Sequence, residues 1–220
     1  MKNLNKSKFL YIFIGLTAIA WIVLSFIKDK KLSNIVDFLE LIPDVVTIDS
    51  IAIFIFTKWL WKYRIFKKWL VPFPNLNGTW TGNIYSDWIN PETNQSTPPI
   101  PVMLTIKQTF FNISCLMQTT EMKSYSNIEG FSIDEDRQVK QITYSYTSRP
   151  RIVLNQRSLP HDGTIVFDIL EKPDRKLKGR YWTERKTKGE IILTFYSNEL
   201  YDDLVPEINS HPVTEDNNRR

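Results

Sequence analysis

Residues 138–147, QVKQITYSYT, place Ile142, Tyr144 and Tyr146 on one side of an extended chain and Thr143, Ser145 and Thr147 on the other. Successive side chains of a strand point to opposite faces, so this pattern predicts a β-strand with one buried and one wet face. The same period of two recurs in Val102, Leu104 and Ile106, in Phe111, Ile113, Cys115 and Met117, and in Ile165, Phe167 and Ile169. Alternation with β-branched and aromatic enrichment gives about eight strands: 79–86, 102–108, 110–119, 121–134, 138–147, 164–171, 176–185 and 189–197. Turn residues separate them at Asp134-Glu135-Asp136, His161-Asp162-Gly163 and Lys172-Pro173-Asp174. No helix of useful length is expected after Trp69.

A meander of antiparallel strands with one apolar face must hide that face, and closing on itself also removes the exposed edges. The expected fold class is therefore all-β, a small antiparallel β-barrel of about eight strands, with a two-sheet sandwich as the alternative. Gly78, Gly82, Gly130 and Gly179 fall at strand starts or inside strands, where glycine marks bends. Barrels of this size hold one small ligand in the mouth or interior. Residues 88–101, WINPETNQSTPPIP, are too rich in proline for a strand and read as a surface loop.

The 220-residue, 26.0 kDa chain has a mean hydropathy of -0.26, an average that hides an apolar N-terminal third. Phe9 to Ile27, FLYIFIGLTAIAWIVLSFI, carries no charge and has the length of a membrane span. It exceeds a signal-peptide core, and the charged stop Lys28, Asp29, Lys30 and Lys31 follows instead of a cleavage site. A second span is expected over about 41–61, although Asp49 and Lys58 interrupt it. Trp59, Trp61 and Trp69 beside Lys62, Arg64, Lys67 and Lys68 suit a headgroup collar. The expected organisation is thus two N-terminal transmembrane α-helices within 1–70, a barrel over 71–200 that begins after Val71-Pro72-Phe73-Pro74, and a disordered tail over 201–220.

Basic residues flanking the helix pair outweigh those of the connecting loop, which places both termini and the barrel on the cytoplasmic side. The net charge of +4 collects beside the apolar segments, which favours anionic lipid headgroups over nucleic acid. Asp49 is either a headgroup-level residue or a polar contact in self-association or a hydrated path. A single Cys115 forms no internal disulfide and points to a reducing compartment.

Catalysis needs a nucleophile, base and orienting group, or several metal ligands, and neither set is visible. The two histidines, His161 and His211, fit no zinc spacing, and His161 reads as a solvated turn residue. A non-enzymatic role without a cofactor follows. Basic residues of the strands are interspersed with Asp168, Glu171, Glu184 and Glu190, which argues against a polymeric nucleic acid partner. Aromatic and arginine residues do gather in two strands: Tyr144, Tyr146, Arg149 and Arg151 in one, Tyr181, Trp182 and Arg185 in the other. Aromatic faces stack on bases and guanidinium groups clamp phosphates, so these seven residues are the candidate nucleotide site. Register decides which of Tyr181 and Trp182 faces inward.

The entry Pro74-Asn-Leu-Asn-Gly-Thr-Trp-Thr-Gly82 after a helix pair and basic collar, with Ile142-Thr-Tyr-Ser-Tyr-Thr-Ser-Arg-Pro150 and Lys178-Gly-Arg-Tyr-Trp-Thr183, resembles a known family. It is that of the membrane effectors of bacterial cyclic-oligonucleotide antiphage signalling (CBASS) with two transmembrane helices and a β-barrel. The resemblance implies that the barrel binds a cyclic dinucleotide made by a partner nucleotidyltransferase (CD-NTase) after phage infection. It further implies that the chain forms a homo-oligomer and disrupts the lipid bilayer of the inner membrane, causing cell death or growth arrest. A membrane-anchored barrel serving as a lipid or peptide scaffold is the alternative.

Overall fold

The computed structural model describes residues 6–67, 69–90, 94–154 and 158–208. The chain divides into two compact units: one contains residues up to Pro74 with 109–111, and the other contains Asn75–Gln108 and the chain from Asn112 onward.

The first unit is built on α1 (Lys6–Ile27) and α2 (Ile35–Lys58). Asn34 caps α2 by accepting the Val36 N–H at 3.0 Å, and Asp37 in the first turn suits the positive end of the helix dipole. Ala20, Leu24, Leu41 and Val45 are buried together, and Trp21 stacks on Phe38 with ring centroids 3.9 Å apart. Lys28 pairs with Asp44 and Lys30 with Glu40. Only the Ser7–Ile27 stretch is long and apolar enough among the described residues to cross a membrane.

No second stretch of that length and apolarity is found over the expected span 41–61. Its helix ends at Lys58, a 3-10 turn covers Leu60–Lys62, and α2 carries Asp37, Glu40, Asp44 and Asp49. The uncharged run between Asp49 and Lys58 is too short for a hydrocarbon core about 30 Å thick. Asp49 is buried and accepts the Thr17 hydroxyl at 2.7 Å, while its Oδ1 meets no partner among the described residues. The expected third strand also starts later than 110. Phe110 sits within 5.5–6.1 Å of the Phe9, Phe56, Trp61 and Phe73 rings, measured between centroids.

The second unit is a closed barrel of eight strands in chain order: β1 (Gly78–Ser86), β2 (Ile100–Gln108), β3 (Ile113–Gln118), β4 (Met122–Asp134), β5 (Val139–Pro150), β6 (His161–Leu170), β7 (Lys176–Thr183) and β8 (Lys188–Ser197). Every neighbouring pair is antiparallel, and β1 pairs with both β2 and β8, so no edge is left. The expected barrel is found and the sandwich is not. The register shifts that let the sheet curl lie at Thr79/Trp80 and Ser126/Ile128.

Inward residues of all strands form one core that includes Trp80, Leu104, Ile106, Ile142, Tyr144, Phe167 and Leu193. The end where the chain enters β1 is plugged. There the Trp80 indole N–H donates to the Leu76 carbonyl at 3.0 Å, and the Trp80 and Phe195 rings meet edge to face. The Arg175 guanidinium lies 3.7 Å from the Phe195 centroid and donates to the Asn75 carbonyl at 3.1 Å. Of the expected disordered tail, residues 201–208 lie on the outer face of the barrel. Val205 and Ile208 are buried against Met103, and Thr105 donates to the Tyr201 carbonyl at 3.0 Å. Residues 209–220 lie outside the described residues.

Candidate functional site

The other end of the barrel is hollow. Antiparallel order brings the last residues of β1, β3, β5 and β7 and the first of β6 and β8 to the same rim, and a cavity of about 220 Å³ opens among them. Tyr146, Tyr181, His161 and Arg185 line it over a floor that includes Met117 and Ile165.

Each tyrosine is admitted by a glycine across the strand pair. Tyr146 pairs with Gly163 and Tyr181 with Gly189. A β-carbon at Gly163 would stand 2.5 Å from the Tyr146 ring, and one at Gly189 would stand 2.8 Å from the Tyr181 ring. With no side chain on the partner, the rings lie along the barrel wall. Burial raises the phenol pKa of both above the usual value, so both remain neutral donors at physiological pH.

Arg185 follows β7, and its Nη1 donates to Ser158 Oγ at 3.1 Å and to the Leu159 carbonyl at 3.0 Å. Those bonds hold the guanidinium at the rim. Around it the wall is hydroxylic: the Ser124 and Ser148 hydroxyls meet at 2.8 Å, as do those of Thr183 and Thr187. His161 is not the solvated turn residue expected. It opens β6, pairs with Ser148, is buried, and its Nδ1 lies 3.2 Å from the Leu159 carbonyl. Burial is the main cause of a pKa below the ordinary histidine value, so the ring is neutral at pH 7.

The seven residues marked as a nucleotide site separate into four places. Tyr146, Tyr181 and Arg185 share the cavity. Tyr144 lies within the core, fully buried, with its hydroxyl unpartnered among the described residues. Trp182 points outward and is 46% exposed, so register has assigned the inward position to Tyr181. Arg149 and Arg151 line a separate groove outside the barrel. Sequence reasoning missed His161, Met117, Ser124 and Ser148. The serines carry no signal of their own, but each occupies an inward position in the period of two. The expected surface loop 88–101 contributes Trp88, Thr97 and Ile100 to the cavity wall. Among the described residues no three His, Cys, Asp or Glu side chains gather as metal ligands do.

The profile of the family described as "Cap15, cyclic dinucleotide receptor domain" matches residues 71–194, the whole span from the entry segment into β8. The chain belongs to the Cap15 cyclic dinucleotide receptor family. It is also similar to the CD-NTase-associated protein 15 of Escherichia albertii, at 26% identity over 148 residues that cover 67% of this chain and 73% of that protein. The cavity rim lies wholly inside the matched receptor domain.

Proposed function

We propose that the chain is a CBASS effector whose barrel mouth binds a cyclic dinucleotide produced by a partner CD-NTase. The observation that carries this reading is the convergence of Tyr146, Tyr181 and Arg185 on one cavity at the open end of a receptor-family barrel. The ring faces suit stacking on a base, and the rim guanidinium suits a phosphate. The hydroxyls of the wall supply donors and acceptors for the base edges.

Size shapes the binding mode. A cavity of about 220 Å³ falls below the ~300–1,000 Å³ usual for small-molecule pockets, so one base enters and the rest of the ligand stays at the rim. Ligand left at the rim is available to a second copy, which is how binding promotes a homo-oligomer. The apolar α1 holds the chain in the bacterial inner membrane with the barrel in the cytoplasm, and assembly concentrates the helices until the bilayer is disrupted.

Calorimetric titration of the detergent-solubilised chain with cyclic di- and trinucleotides tests the ligand, and dye release from vesicles carrying the protein tests the outcome. One ligand that binds and triggers release is the expected result. Release that is unchanged by every ligand bound would refute the effector role.

A further inference from the structure

Outside the barrel, Gln118 of β3 pairs with Lys123 of β4, and Lys123 pairs with Arg149 of β5. Residues in register share a face at steps of about 4.8 Å. Their neighbours Met117, Ser124 and Ser148 line the inner cavity, so these three stand in a row on the outer face. Arg151 lies two residues along the chain from Arg149, just past β5, where its N–H bonds to the Glu121 carbonyl at 2.9 Å. The four border a groove of about 590 Å³ that is also lined by Tyr125, Asp203 and Leu204.

Two features of this groove are unexplained by the fold. Lys123 and Arg149 are directly opposed like charges, an arrangement that destabilises a sheet. Among the described residues no carboxylate stands within ion-pair distance of Lys123, Arg149 or Arg151. The polar floor is also incomplete. Gln118 is 1% exposed and donates weakly to the Asp202 carbonyl at 3.4 Å, while its Oε1 and the Thr120 hydroxyl have no partner among the described residues. Buried polar groups are almost always paired, and an exception calls for a reason.

We propose that the groove is a second ligand site, for a small molecule carrying phosphate groups. Lys123, Arg149 and Arg151 offer a point charge and two bidentate forks over a span of about 10 Å, the reach of two phosphates. Tyr125, 46% exposed, gives a face for a base. Asp203 at the border disfavours a bare polyanion and suits a ligand with an amino group. Groove and mouth share Thr119 and Met122 as a common wall, so filling one reshapes the other.

The test is thermal unfolding of the full chain in detergent with millimolar pyrophosphate, ATP or cyclic di-AMP, in an Arg185→Ala background that weakens the mouth. At least one probe raises the midpoint by a few degrees, and adding Lys123→Glu with Arg149→Glu abolishes the rise. A rise with all three probes marks phosphate itself as the ligand feature, and a rise with cyclic di-AMP alone marks the dinucleotide. No rise with any probe, or a rise that survives the double charge reversal, overturns the proposal. Lys123→Glu alone, without probe, also raises the urea midpoint by replacing opposed like charges with an opposite pair; a lowered midpoint counts against the proposal. Failure of the mouth reading is seen separately, as wild-type cyclic dinucleotide binding that Arg185→Ala leaves unchanged.

Discussion

Tyr146 of β5 lies across Gly163 of β6 so closely that a single β-carbon on the glycine would meet the ring. The site wall thus depends on a residue that contributes no side chain. Gly163→Ala forces the ring off its seat, and overpacking of this kind costs about 1–3 kcal/mol. The variant is expected to unfold at lower urea and to bind cyclic dinucleotide at least tenfold more weakly. Gly130→Ala, where nothing lies within 4 Å of the added carbon, is the matched control and leaves binding unchanged.

Tyr144 lies wholly within the core while Tyr146 also lines the cavity, although the two stand two positions apart on one face. Tyr144→Phe removes a buried hydroxyl that has no partner among the described residues, and sparing that desolvation stabilises by about 1 kcal/mol. Urea denaturation is expected to show the gain, and calorimetry to show unaltered ligand affinity.

His161 makes stability depend on pH. Its folded pKa lies below the ordinary value near 6.5, so below that pH the unfolded chain binds a proton that the folded one refuses. Stability is complete above pH 6.5 and falls as pH drops from there towards the lowered folded value. His161→Gln is expected to flatten this slope in urea midpoints measured between pH 7.5 and 5.

Arg175 closes the end opposite the cavity by covering Phe195 and Trp80. Arg175→Ala removes a partly buried cation–π contact and the bond to Asn75, a loss of about 1–2 kcal/mol. A lower thermal midpoint with unchanged ligand affinity is the expected pair of observations.

The strands were legible in the sequence because each has one buried face, and burial imposes the period of two seen in Ile142, Tyr144 and Tyr146. Closure was legible too, since an unpaired apolar meander has few other ways to hide. The site was legible only in part. Alternation names Tyr146 but leaves Tyr181 against Trp182 to the register, and which end is hollow depends on Trp80, Phe195 and Arg175 meeting at the other, a contact between distant segments. Arg149 falls one step out of phase with Tyr146 and Ser148, which sends it to the outer face. His161 sits beside Asp162 and Gly163 and resembles a turn in composition, yet backbone pairing with Ser148 makes it strand. Over 41–61 the hydropathy signal is weak for a reason present in the sequence: α2 carries Asp37, Glu40, Asp44 and Asp49 beside a short apolar run.

Tyr181 and Trp182 are adjacent aromatic residues on opposite faces of β7, and they test the location of the site most directly. Calorimetric titration of a cyclic dinucleotide that binds the wild-type chain should find affinity reduced at least tenfold by Tyr181→Ala and unchanged by Trp182→Ala. Loss of binding in Trp182→Ala with retention in Tyr181→Ala would contradict the mouth cavity as the receptor site.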